Sequence, residues 1–119
     1  MKVEVNMDII VAKNAGGQIV TVGLKGRLDA ATSKSVEDQL LQLIEQGERR
    51  MVMDFGELHY ISSVGLRVLI LVAKRLKQVN GRIVMCSLSD QIKEVFAIAG
   101  FGSLFAVFDT RDQAVAGMI

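Results

Sequence analysis

The segment from Met51 to Ser87 constrains the fold most. An apolar run, Met51-Val52-Met53-Asp54-Phe55, precedes a long stretch with helical periodicity, and a second apolar run, Arg82 to Ser87, follows it. A strand, a helix and a strand in that order share one sheet when the strands are parallel and the helix crosses a face. The helix is read from about Ser63 to Val79, with Asn80-Gly81 ending it. Leu66, Leu69, Val72, Ala73 and Leu76 gather on one side of it and are expected to face the core. Arg67, Lys74 and Gln78 gather opposite; Leu71 falls among them, and Ile70 lies at their edge on the Ser63 side. The run Ile83-Val84-Met85-Cys86 suggests a strand buried on both faces.

Proline is absent, so Gly, Asn and Asp mark the other breaks. Val3 to Lys13 reads as a strand, Asn14-Ala15-Gly16-Gly17 as a turn and Gln18 to Gly26 as a second strand, together a hairpin. Asp29 or Thr32 is placed to cap a helix beginning near Ser33, lined by Val36, Leu40, Leu43 and Ile44 and ended by Gly47. The chain between Phe55 and Ser62 reads as a loop. Ser89 or Asp90 caps a third helix carrying Ile92, Val95, Phe96 and Ile98, which Ala99-Gly100-Phe101-Gly102 stops. Leu104 to Phe108 is a last strand, and Thr110 or Asp109 caps a short helix through Ala116. The expectation is one α/β domain over residues 1–119, a mixed, mostly parallel sheet with an N-terminal hairpin and helices packed on it.

Composition narrows the function classes. Fourteen basic against thirteen acidic residues give a net charge of +1, without the basic excess of a general nucleic-acid binder. Five Phe, one Tyr and no Trp leave little for stacking on bases. Cys86 has no second cysteine to pair with, which suits a reducing cytoplasm, and it reads as a small core residue. The N-terminus lacks a signal-peptide pattern and no apolar run approaches a membrane span, so a cytoplasmic protein is expected. His59 is the single histidine, too few for a His-rich metal site. A dyad of His59 with Ser63 lacks a nucleophile-elbow pattern, and Glu37-Asp38 reads as a solvated helix face. No cofactor signature and no catalytic constellation emerge. A nucleotide-binding domain ranks low because no phosphate-cradling motif is present.

The chemistry of interest sits where the central helix begins. Ser62 and Ser63 stand at a junction where a hydroxyl can accept from the unpaired N–H groups of a first helical turn. The same N–H groups and the positive end of the helix dipole favour an anion. One of these serines is therefore either a plain cap or a place where negative charge is added and removed.

Gly26-Arg27-Leu28-Asp29, Met53-Asp54-Phe55, Ile61-Ser62-Ser63-Val64-Gly65-Leu66 and Gly81-Arg82-Ile83-Val84 together resemble the STAS domain, the module of anti-sigma factor antagonists also found at the end of sulfate transporters. Val95-Phe96-Ala97-Ile98-Ala99-Gly100-Phe101 looks like that family's final helix and turn. The family pattern is Asp-Ser-(Ser, Thr or Ala)-Gly-Leu, with the serine after the Asp phosphorylated. Here Ser62 occupies the Asp position, Ser63 the acceptor and Val64 the small-residue position. The resemblance implies a STAS-like fold and partner switching: the unmodified protein binds an anti-sigma factor serine kinase, phosphorylation of Ser63 breaks the complex, and a metal-dependent, PP2C-type phosphatase restores it. Asp29 resembles a family position near the acceptor, and its alternative role is a turn residue. Ser62 adds a second hydroxyl as an alternative acceptor, while Val64 is bulky enough to crowd the helix start. Arg67, Ile70, Leu71 and Lys74 are the expected docking face. The competing reading is a non-switching soluble STAS subunit of a membrane transport complex. The sequence leaves the oligomeric state open, a dimer included.

Overall fold

In a computed structural model, residues 7–101 and 104–118 are described. Strands β1 (Met7–Lys13) and β2 (Val20–Leu28) pair antiparallel, from Met7 opposite Gly26 to Lys13 opposite Val20. The Asn14 carboxamide oxygen tightens their turn by accepting from the backbone N–H groups of Gln18 and Ile19, at 3.0 and 3.1 Å. The part of the first strand expected at residues 3–6 lies outside the described residues.

Beyond the hairpin the chain alternates: α1 (Ser33–Glu45), β3 (Arg50–Ile61), α2 (Ser63–Gln78), β4 (Arg82–Cys86), α3 (Asp90–Ile98), β5 (Ala106–Phe108) and α4 (Arg111–Ala116). The strands form one sheet in the order β1-β2-β3-β4-β5, and every pair after the first is parallel. Alternate residues of the inner strands point to opposite faces. Val20, Val22, Leu24, Met51, Met53, Phe55 and Met85 pack with apolar residues of α1, α2 and α3. Ile19, Val52, Val84 and Cys86 pack with Ala114 of α4 and the following Met118. Three helices thus cover one face and α4 the other, and β4 is buried on both, as its apolar run implied. Leu69 and Val72 of α2 are fully buried, each burial stabilising by about 1.5–3 kcal/mol. Gly81 makes the return from α2 to β4 possible: a Cβ there would lie 2.8 Å from the Arg49 carbonyl oxygen.

Several boundaries and faces differ from expectation. Residues 56–61 are strand rather than loop. They gain backbone partners from β2, with Lys25 opposite Glu57, Gly26 opposite Leu58, Arg27 opposite Tyr60 and Leu28 opposite Ile61, the ladder shifting register before Lys25 and again between Gly26 and Arg27. Pairing thus organises a stretch whose residues are mostly exposed. Leu66 and Ala73 of α2 are half-buried and pack against the core as expected, and Val68, not expected there, is buried with them. Ile98 at the end of α3 is 81% exposed, because the core-facing side of that helix is formed by Ile92 and Phe96 with Val95 half-buried beside them. The last strand keeps only Ala106–Phe108; Leu104 is exposed in a turn, and Phe105 is buried beside Phe101, their ring centroids 5.4 Å apart.

Candidate functional site

The extended run of β3 carries the chain straight into α2. Ser62, still in extended geometry (φ −93°, ψ 171°), donates its backbone N–H to the Leu28 carbonyl at 2.9 Å. Its hydroxyl accepts from the Gly65 N–H at 3.2 Å. Ser62 is therefore the cap, and its oxygen satisfies one of the helix's free donors. Ser63 opens the helix and is exposed, and among the described residues its hydroxyl has no hydrogen-bond partner. The two adjacent hydroxyls are thus placed differently: one is held by the fold and one is free.

Gly65 explains how the helix start lies so close to β2. A Cβ at that position would fall 2.7 Å from Leu28 Cγ and 2.9 Å from the Leu28 carbonyl oxygen. Val64, expected to crowd the junction, is 39% exposed and points away from the core. The first turn of α2 holds no acidic side chain, and Arg75 and Lys77 lie in its last turn. No acid of the helix itself complements its positive end.

Asp29 begins the turn after β2. Its carboxylate accepts from the Ala31 and Thr32 N–H groups at 3.0 and 3.3 Å, and its carbonyl accepts from the Ser33 hydroxyl. Thr32 is the N-cap residue of α1 by position, yet its hydroxyl makes no capping bond to that helix; it donates to the Arg27 carbonyl at 2.8 Å. These bonds account for the burial of Thr32 and Ser33. The Asp29 carboxylate also lies 3.5 Å from Arg27 Nε, and the Arg27 guanidinium sits 4.3 Å from the centre of the Tyr60 ring. Asp29 is thus both a turn residue and part of a charged cluster at the end of the β2–β3 pair. Sequence reasoning gave no role to Arg27 or Tyr60. The signal was the parallel pairing itself, which sets Arg27 beside Tyr60 once both strands run to their full length.

Arg67, Ile70, Leu71 and Lys74 do come together. With Leu41 of α1 and with Arg75 and Gln78 they line an open groove of about 450 Å³. Ser63, Arg67, Ile70 and Lys74 follow helical spacing along one stripe, so the free hydroxyl stands at the head of that surface. Leu71 is 40% exposed in the groove.

The remaining candidates lie elsewhere. His59 is exposed on β3, and among the described residues no hydrogen bond joins it to Ser62 or Ser63. Cys86 is buried against the α4 side of the sheet; burial, reinforced by the negative charge of Asp54, pushes its thiol up despite the opposing influence of Ser87 and Arg111. Glu37 and Asp38 both pair with Lys34 on the surface of α1. Among the described residues, no helix is long and apolar enough to cross a membrane.

The STAS domain family profile matches residues 10–114. The chain belongs to the STAS domain family. It is 47% identical over 93 residues to BtrV of Bordetella bronchiseptica, described as a candidate anti-sigma factor antagonist, covering 78% of this chain and 80% of BtrV. Its fold is similar to that of an anti-sigma factor antagonist from Mycobacterium paratuberculosis, with a TM-score of 0.85, 18% identity and coverage of 94% and 93%. It is also similar to the Bacillus cell fate determinant SpoIIAA in its phosphorylated form, with a TM-score of 0.74, 20% identity and coverage of 94% and 100%. In this STAS domain the helix start holds Ser62 in extended backbone as a cap, which a residue with a short acceptor side chain can do equally well.

Proposed function

We propose that this protein is a cytoplasmic anti-sigma factor antagonist, a regulatory binding module rather than an enzyme, switched off by phosphorylation of Ser63. The observation that carries the reading is the contrast at the helix start, where Ser62 is used as a cap and Ser63 presents a free hydroxyl on an acid-free first turn. The 47% identical relative supports the class of partner. The partner is an anti-sigma factor with serine kinase activity. Its nucleoside triphosphate gives up the γ-phosphoryl group to Ser63 Oγ, the hydroxyl proton leaves, and the diphosphate departs. A PP2C-type phosphatase reverses the modification by transferring the group to water.

The physical effect of the phosphate is local. It adds roughly −1.5 to −2 charges near neutral pH. The free N–H groups of α2 tolerate that charge, so the fold survives. A partner surface that must be desolvated against Arg67, Ile70, Leu71 and Lys74 does not. Leu71→Glu is expected to weaken partner binding by roughly tenfold or more while leaving the melting temperature near that of the parent.

Intact-mass and fragment-ion analysis of protein purified from its own cells, with phosphate preserved, tests the reading. Phosphate on Ser63 is the expected result, and Ser63→Ala should then bind the kinase constitutively while Ser63→Asp binds poorly. Phosphate on Ser62 would move the acceptor by one residue. No phosphate across several growth and stress conditions would overturn the switch and leave a constitutive STAS subunit, such as one serving a transport complex.

A further inference from the structure

Helix α2 concentrates the positive charge of the chain. It carries Arg67, Lys74, Arg75 and Lys77, four of the fourteen basic residues, and none of the thirteen acidic ones. All four are exposed. Arg75 donates to the Gln78 side chain at 3.3 Å, but among the described residues the side chains of Arg67, Lys74 and Lys77 have no ion-pair or hydrogen-bond partner. Exposed cations are at ease in water, so their charge alone marks no site. The apolar surface between them does.

Arg67, Lys74 and Arg75 rim the open groove of about 450 Å³ that Leu41, Ile70 and Leu71 line with apolar side chains. On α1, Asp38 and Glu45 stand one turn to either side of Leu41. They leave the cations uncompensated: Asp38 pairs with Lys34, and among the described residues no ion pair joins α1 to α2.

Spacing restricts what can occupy the groove. Arg67 and Lys74 stand seven residues apart, about 10 Å along the helix axis, with Ile70 and Leu71 between them. A helix laid along the groove repeats with the same period, so it can offer a carboxylate to each cation while aliphatic residues between them cover the apolar lining. A flat bilayer surface would meet the cations without entering the groove, and a nucleic-acid backbone has nothing to cover Leu71.

We propose that the groove between α1 and α2 receives an acidic amphipathic helix of the partner, its carboxylates seven residues apart on Arg67 and Lys74 and its aliphatic side chains on Leu41, Ile70 and Leu71. This deepens, and rests on, the reading of this surface as the docking face. Apolar contact holds the helix, and the two ion pairs select an acidic sequence and fix its register.

The test uses the full unmodified chain and a synthetic peptide held helical by lactam bridges on its outer face. The peptide carries Glu at two positions seven apart and Leu three and four residues after the first; counterparts carry Gln or Lys in place of both Glu. Fluorescence anisotropy should show the Glu peptide binding roughly tenfold or more tightly than the Gln peptide, the Lys peptide weakest, and the Glu peptide's advantage shrinking as salt is raised. Amide shifts in NMR should fall on Leu41, Ile70 and Leu71. Lys74→Glu should lose roughly tenfold toward the Glu peptide and gain affinity for a peptide with Lys at the matching position alone, a gain that an unfolded variant could not show. Equal binding of the Glu and Gln peptides, amide shifts away from the groove, no binding by any peptide, or preferential binding to phosphatidylglycerol vesicles overturns the proposal. The measurement is independent of Ser63: absence of phosphate from native protein sinks the switch and leaves the groove's selectivity intact, while a groove indifferent to the peptides leaves the switch intact.

Discussion

Helices α2 and α3 start in nearly the same way and end up with different potential. Each follows a serine in extended geometry whose hydroxyl accepts from the N–H three residues on, from Gly65 in α2 and Ile92 in α3, both at 3.2 Å. After that the two diverge. The residue following Ser89 is Asp90, an acid that complements the positive helix end; the residue following Ser62 is Ser63, and the first turn of α2 has no acid. Helix α4, capped by Thr110, repeats the α3 solution with Asp112. The third residue differs too. Ile92 is 2% exposed and anchors α3 in the core, whereas Gly65 lets the α2 backbone close on Leu28. A capping serine therefore does not make a site. An open place for negative charge, beside a hydroxyl the fold does not use, sets α2 apart.

That contrast can be broken at four points. Ile92→Ala should have the largest effect, a loss of about 2–5 kcal/mol in urea unfolding, because it empties a packed site under α3. Gly65→Ala should cost about 1–3 kcal/mol by the opposite cause, overpacking, with Leu28 forced away from the helix start. A neutral Gly65→Ala would mean that the close contact between α2 and β2 is not maintained in solution. Ser62→Ala and Ser89→Ala should each cost about 1 kcal/mol and match closely, since the two caps share one geometry. Unequal losses in a side-by-side thermal melt would end the equivalence on which the comparison stands. The smallest effects are electrostatic. Ser63→Asp should stabilise by about 0.3–1 kcal/mol and Asp90→Asn should destabilise by a similar amount, both fading as salt is raised. If Ser63→Asp destabilises instead, the start of α2 is not the open anion position described above.

The alternation of strands and helices was legible because Met51–Phe55, Ser63–Gln78 and Arg82–Cys86 each carry their own periodic signal. The extension of β3 through Gly56, Glu57, His59 and Tyr60 was not, because those residues become strand only by borrowing partners from β2, and the register shifts scramble the two-residue alternation. Leu58 and Ile61 are buried in that stretch but stand three apart, a spacing that says nothing of a strand. Ile98 misled for a different reason: it stands six residues after Ile92, about 240° round the helix, and so falls off the face that Ile92 and Phe96 bury. At the site, the serine pair and the docking stripe could be read from one helix and its cap. The choice between Ser62 and Ser63 as the cap needed the path of the backbone. The Arg27–Tyr60 contact needed two strands brought side by side from distant parts of the chain.

The strand order has a consequence for how the chain is made. Each strand lies beside its predecessor in sequence, from β1 through β5, so the sheet can grow from one edge without threading a strand between two already joined. Contacts stay as local as a parallel sheet permits, which favours rapid folding for this class of topology. A chain leaving the ribosome from its N-terminus can therefore add each unit to a finished edge. The junction of β2, β3 and α2 would be assembled while β5 and α4 are still being synthesised.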